Sequence, residues 1–159
     1  MKRNDILALA LSIGVCLFAG IFGSIFTASE VPTWFVTLAK PSWSPPAWVF
    51  GPVWTTLYLL MGISAWMIWR KGWKRKDVKM ALWVFAAQLV LNALWSLIFF
   101  GWHQLGWAFL EIILLWVTIL MTIIFFAKIS RPAAWLLAPY LAWVTLASIL
   151  NFTIWQLNT

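Results

Sequence analysis

The 159-residue sequence has one cysteine, one histidine and four acidic residues, and only 9% of its residues are charged. With Cys16 alone, no internal disulfide and no cysteine-based zinc site can form. Nucleophile elbows of the G-x-S-x-G type, P-loops and H-E-x-x-H helices are absent. No pair of carboxylates is set up for acid–base work, since Glu30 and Glu111 fall on different elements. The alternating pattern that builds a membrane β-barrel is missing as well.

What the chain does have is apolar mass. Hydrophobic residues make up 64% of it and the mean hydropathy is +0.92. Soluble domains run near ~25% charged and ~45–50% apolar. The proportions exclude a disordered chain, a two-domain soluble enzyme and a disulfide scaffold. Fifteen tryptophans exceed what interfacial aromatic belts alone require.

Five apolar runs, 6–27, 46–69, 80–100, 107–127 and 133–155, predict an all-α integral membrane bundle of five transmembrane helices, one domain over residues 1–159. Each run can cross about 30 Å of hydrocarbon as a helix. Between them lie the polar, turn-rich segment 28–45, placed to cover a cavity, and the breaks RKGWKRKDVK, GWHQLG and KISRP. Lys2 and Arg3 before the first run resemble the start of a signal peptide. That run is longer than a usual signal core and has no small residue just before Cys16, so it is read as a true first helix.

Net charge is +7, which in a soluble protein would raise nucleic acid as a partner. Here the placement of the charges points to the bilayer instead, and no nucleic acid is expected. With five spans, Lys2, Arg3, the basic residues of 70–79, Lys128 and Arg131 fall on one side, and Lys40 stands alone on the other. The asymmetry predicts a cytoplasmic N-terminus and an outside C-terminus, with the 70–79 cluster against anionic headgroups.

Polar residues within spans are costly and mark candidate sites. Gln88 and Asn92 share a face of the third helix, extended by Trp95 and Phe99. The fourth helix carries a stripe of Trp107, Glu111, Leu114 and Thr118, and the fifth a stripe of Trp143, Ala147, Leu150 and Asn151. Each stripe mixes aromatic, slim and polar residues, as the wall of an apolar ligand slot does. The polar groups also serve to link helices. In the second helix Pro45 and Pro46 suit a helix start, whereas Pro52 is expected to kink the helix or free a carbonyl. Trp54 and Tyr58, four apart, lie too deep for a belt and are pocket candidates; Trp43 and Trp48 fit the belt. Gly20 with Ser24, and Ala19 with Gly23, form small-xxx-small pairs for close packing within the protomer or across a dimer. His103 reads as a loop or interfacial histidine, able to meet a haem iron only from the membrane edge. Cys16 reads as a packing residue.

The stretch WFVTLAKPSWSPPAWVFGPVWTTLYLLMGISAW resembles the first loop and second helix of the tryptophan-rich sensory protein or translocator protein family, also called the peripheral benzodiazepine receptor family. QLVLNALWSLIFF and PYLAWVTLASILNFTIWQLN are similar to its other two signatures, so the likeness covers about residues 6–158. The resemblance implies a five-helix bundle, usually a homodimer, in this case a bacterial-type member in the cell membrane. It implies a cavity near the first loop that takes porphyrins such as protoporphyrin IX. Isoquinoline carboxamide or benzodiazepine drugs are further ligands of the family. The family's ligand wall falls on Phe35, Gly51, Trp54 and Tyr58, on Asn92, on Trp107, Leu110 and Leu114, and on Trp143, Ala147 and Leu150. Trp54 and Trp143 match tryptophans linked in some bacterial members to light-dependent porphyrin breakdown.

A planar macrocycle stacks well on indoles, and Lys40 is a candidate partner for its propionates, set against the reading of a snorkelling lysine. The family's sterol motif is missing: Phe152 stands at the tyrosine position and no basic residue follows it. The expectation is a membrane receptor or sensor for tetrapyrroles, with no metal and no resident cofactor, the porphyrin being a ligand. A transporter of porphyrin or other amphiphiles and a light-dependent porphyrin-degrading enzyme are the alternatives.

Overall fold

The computed structural model describes residues 3–159. Its elements are α1 (Arg3–Glu30), a single 3-10 turn (Phe35–Thr37), α2 (Ala47–Trp69), α3 (Lys76–Ser96) continued by a π turn (Leu97–Gly101), α4 (Leu105–Ile129), a short α5 (Arg131–Trp135) and α6 (Ala138–Leu157). Among the described residues there are five spans long and apolar enough to cross a membrane, the last made of α5 and α6 together. The chain is an all-helical, multi-pass membrane protein.

The spans run two to four residues past the apolar runs at most ends, because a helix continues into the interface while its backbone hydrogen bonds can still form. Lys76 and Lys79, read as loop, open α3. The break in the fifth span at Leu136–Leu137 has a local cause. Pro139 lies at the start of α6, where its missing N–H costs nothing, but its ring prevents the preceding residues from continuing as one helix. Pro52 does not break α2. The hydroxyls of Thr55 and Thr56 donate to the carbonyls of Gly51 and Pro52, both at 2.9 Å, so the next turn carries additional bonds beside the proline.

At one end of the bundle α1 and α2 pack backbone to backbone. Trp66 Nε1 donates to the Asp5 carbonyl at 3.0 Å, and Arg70 Nε lies 3.8 Å from Asp5 Oδ1. One turn deeper, a Cβ on Gly62 would fall 2.6 Å from the Ile13 Cα. The glycine is therefore what permits the approach. Ser64 Oγ donates to the Ala133 carbonyl at 2.7 Å and ties α2 to α5. The same end carries Arg70–Lys79, Lys128 and Arg131, with Lys40 at the opposite end; Lys2 lies outside the described residues.

Apolar packing divides into two clusters. The larger centres on Met61, Ile68, Ala81, Ile112, Ile119, Phe126 and Tyr140, and Phe85 stacks on Phe126 at 5.8 Å. The smaller joins Phe35, Phe99, Phe100, Ala108, Leu150 and Ile154 at the first-loop end. Trp95 packs against both.

A Gly62→Ala variant should lose about 1–3 kcal/mol through overpacking against Ile13, read as a lower thermal midpoint in detergent. Gly14→Ala, where nothing lies within 4 Å, should show no loss.

Candidate functional site

The first-loop half of the bundle holds a cavity of about 530 Å³. Its walls come from α1, α2, α3 with its π turn, α6 and the loop after α1. Members of both apolar clusters line it, so it occupies the gap between them. The size lies within the range of small-molecule sites, and so does the chemistry, a mostly apolar wall with a few polar groups.

On α2, Trp54 and Tyr58 lie one turn apart and stack at 5.7 Å with planes 28° from parallel. The ring of Trp54 also meets Tyr140 edge-on at 6.3 Å. On α6, Trp143 meets Phe50 of α2 edge-on at 5.7 Å. The indole Nε1 of Trp143 is buried and has no hydrogen-bond partner. Trp95 differs: its Nε1 donates to Asn151 Oδ1 at 3.1 Å, and Asn151 Nδ2 donates to the Leu105 carbonyl at 2.9 Å. Of the three tryptophans that line the cavity, Trp95 has its donor engaged and Trp143 keeps a buried, unpaired one.

Below the cavity runs a chain of side-chain hydrogen bonds. The Tyr58 hydroxyl donates to Asn92 Oδ1. Asn92 Nδ2 donates to the Tyr140 hydroxyl at 3.1 Å, and Tyr140 donates to Gln88 Oε1 at 2.8 Å. Gln88 Nε2 ends the chain 3.9 Å from Met61 Sδ. All four polar residues are buried, and every bond points the same way. The chain fastens α2, α3 and α6 to one another where a membrane interior offers no water.

The structure brings Phe35, Gly51, Trp54, Tyr58, Asn92, Trp143, Ala147 and Leu150 to this cavity. Trp107, Leu110 and Leu114 do not join them. They point out of the bundle, Trp107 with 68% of its surface exposed, and line a shallow outer groove with Ile98, Trp102, Gln104 and Glu111. The inward stripe of α4 is Ala108, Ile112, Leu115 and Ile119, which packs against α3, α5 and α6 and leaves the other face to lipid. Glu111 sits at the edge of the inward stripe, its carboxylate oxygens buried and unpaired. Thr118 spends its hydroxyl on the Leu114 carbonyl.

Lys40 is held by its own loop. Its Nζ donates to the carbonyls of Phe35 at 2.6 Å and Leu38 at 2.9 Å, and lies 4.8 Å from the centre of the Phe35 ring. The ammonium therefore shapes the loop before it meets any guest. His103 is in the loop between the π turn and α4 and pairs with Glu30. Cys16 is a buried free thiol within the larger apolar cluster. Trp43 and Trp48 are exposed. Among the described residues no cluster of His, Cys, Asp and Glu is fit to hold a metal.

The contribution of α1 to the wall is absent from the aromatic and polar stripes. Gly20 lies under the Tyr58 ring and Gly23 beside Ser96 Oγ. The small-xxx-small spacing was the available signal, and within the protomer it lets the Tyr58 ring of α2 and the Ser96 side chain of α3 sit against the α1 backbone.

The sequence matches the family described as TspO/MBR over residues 12–156. The chain belongs to the TspO/MBR family. It is 48% identical to the tryptophan-rich protein TspO of Chlorobaculum tepidum over 156 residues, 98% of this chain and 99% of that one. It is 41% identical to the translocator protein of Bos taurus over 140 residues, 87% and 83% of the two chains. The tryptophan-rich sensory protein of Cereibacter sphaeroides is 37% identical over 125 residues, 79% and 77% of the two.

Tyr140→Phe should leave Gln88 Oε1 without its donor and Asn92 Nδ2 without its acceptor. A loss of about 1–3 kcal/mol is expected, seen as a lower unfolding midpoint in detergent. Phe152→Leu, on a partly exposed surface, should show a much smaller change.

Proposed function

We propose that this protein is a membrane receptor that holds a planar, mostly apolar tetrapyrrole, of the protoporphyrin IX type, in the cavity between α1, α2, α3 and α6. One observation carries the reading. Trp54 and Trp143 line one cavity together with Tyr58, which stacks on Trp54. A conjugated macrocycle gains from offset or edge contacts with indoles, beyond the apolar area it covers. Isoquinoline carboxamide and benzodiazepine drugs share the flat rings, so they fit the same proposal.

Family relatives carry the names sensory protein and translocator protein, which agrees with a receptor for a small guest. The charge asymmetry between the two ends of the bundle supports an orientation with the Arg70–Lys79 end in the cytoplasm. In that orientation the first loop and the cavity lie toward the outside of the cell membrane.

Titration of the purified protein with protoporphyrin IX should quench tryptophan fluorescence to saturation. Trp54→Phe combined with Trp143→Phe should weaken the affinity roughly tenfold. Trp107→Ala, in the outer groove, should leave it unchanged. Equal affinities in the wild type and the double variant would remove the cavity from the proposal.

A further inference from the structure

The loop wall of the cavity is held by a side chain from a distant part of the sequence. His103 adopts a left-handed backbone conformation, φ 54°, between the π turn and α4. Its ring lies flat on the indole of Trp34, with centroids 4.0 Å apart and planes 16° from parallel. Its Nε2 is 3.0 Å from Glu30 Oε2 at the end of α1. One imidazole thus touches the chain just before the loop crosses the bundle and again next to Phe35. Trp34 in turn packs edge-on against Phe99 at 5.8 Å and Phe100 at 6.4 Å. Phe35, its neighbour, is buried and lines the cavity.

We propose that His103 is a proton-sensitive positioning residue, which clamps residues 31–35 over the cavity more firmly when its ring is charged. Imidazole is the side chain that changes charge near neutrality. The charged ring makes a charge-assisted bond to Glu30 and a cation–π contact with Trp34. The neutral ring keeps a hydrogen bond to the carboxylate and the stack, but loses the ion pair and the cation–π contact. The clamp is therefore firm with the ring charged and loosens when rising pH removes its proton.

The groups around it are few. Glu30 faces it from α1. Lys40 of the loop is committed to the Phe35 and Leu38 carbonyls. The π turn and the first turn of α4 carry no other titratable side chain. Both members of the pair are partly exposed, at 43% and 28%, so water screens them and the effect is modest, roughly fivefold in release rate.

The clamp concerns access to the guest site proposed above, and its test keeps the two ideas apart. The probe is protoporphyrin IX dimethyl ester, which has no propionates to titrate. Its dissociation into excess empty lipid vesicles is followed by recovery of tryptophan fluorescence at about pH 5.5 and about pH 8. Wild-type protein should release the ester roughly fivefold faster at the higher pH. His103→Arg should release slowly at both, and His103→Gln fast at both. Amide hydrogen exchange of residues 31–38 in the ligand-free protein, corrected for its intrinsic pH dependence, should rank the three proteins in the same order. A flat wild-type profile, or a slope that survives in His103→Gln, overturns the proposal. If the ester does not bind at all, the guest reading fails and loop exchange alone decides. Protection that varies with pH only in the wild type then upholds the clamp, and equal protection in all three proteins overturns it.

Discussion

A polar group inside a membrane protein has no water to fall back on, and this constraint organises the bundle around its cavity. Tyr58, Asn92, Tyr140 and Gln88 satisfy one another in a single file across α2, α3 and α6. Each bond in a membrane interior contributes modestly, about 0.6–2 kcal/mol. Their common direction matters more than their sum. Tyr58 and Asn92 stand at the cavity wall and Gln88 in the core, so the rings above rest on a base whose donors and acceptors are all assigned. Without such a base, the three helices around the cavity would have only side-chain shape to hold them in place.

The helix α4 serves a different end. It touches no part of the cavity, yet it packs along both α3 and α6. Trp116 Nε1 donates to Thr145 Oγ1 at 2.8 Å, and Asn151 reaches the Leu105 carbonyl. These bonds set the register of α6 against α4 and so the height of Trp143. At the other side, the π turn after α3 buries two adjacent rings, Phe99 and Phe100, under Trp34 and Phe35. Single-turn π segments of this kind recur at functional sites. Here it supplies the aromatic floor on which the loop lies.

Much of this was readable in the residues, and the failures have a common cause. Five spans followed from length and hydropathy, because a helix that crosses hydrocarbon must be long and apolar. Trp54, Tyr58, Asn92 and Trp143 were readable because proline, polar groups and deep indoles are unusual in a span. The inward face of α4 was not. In lipid, apolar residues face outward as readily as inward, so hydrophobic periodicity does not tell one side from the other. Trp107, Leu110 and Leu114 therefore looked like wall and proved to be surface. The α1 wall was legible only in part: the small-xxx-small spacing of Gly20 and Gly23 marked a close approach, but a missing side chain does not say what packs there. The clamp at His103 joins residues 73 positions apart, and no local pattern announces such a pairing.

The proposed guest must also win against the solvent that surrounds it, which is lipid. An alkyl chain entering the cavity fills volume and meets apolar rings, so shape and hydrophobicity alone give little preference for one greasy occupant over another. Two features discriminate. The stacked pair Trp54 and Tyr58 offers a flat face whose quadrupole favours another conjugated ring over a saturated one. A lipid tail also loses many rotamers on confinement, whereas a rigid macrocycle has few to lose. Each term is small, but all act in the same direction, and a factor of ten needs only about 1.4 kcal/mol. Selectivity in this site therefore depends less on how much apolar surface it covers than on flat aromatic walls that meet a rigid, conjugated guest.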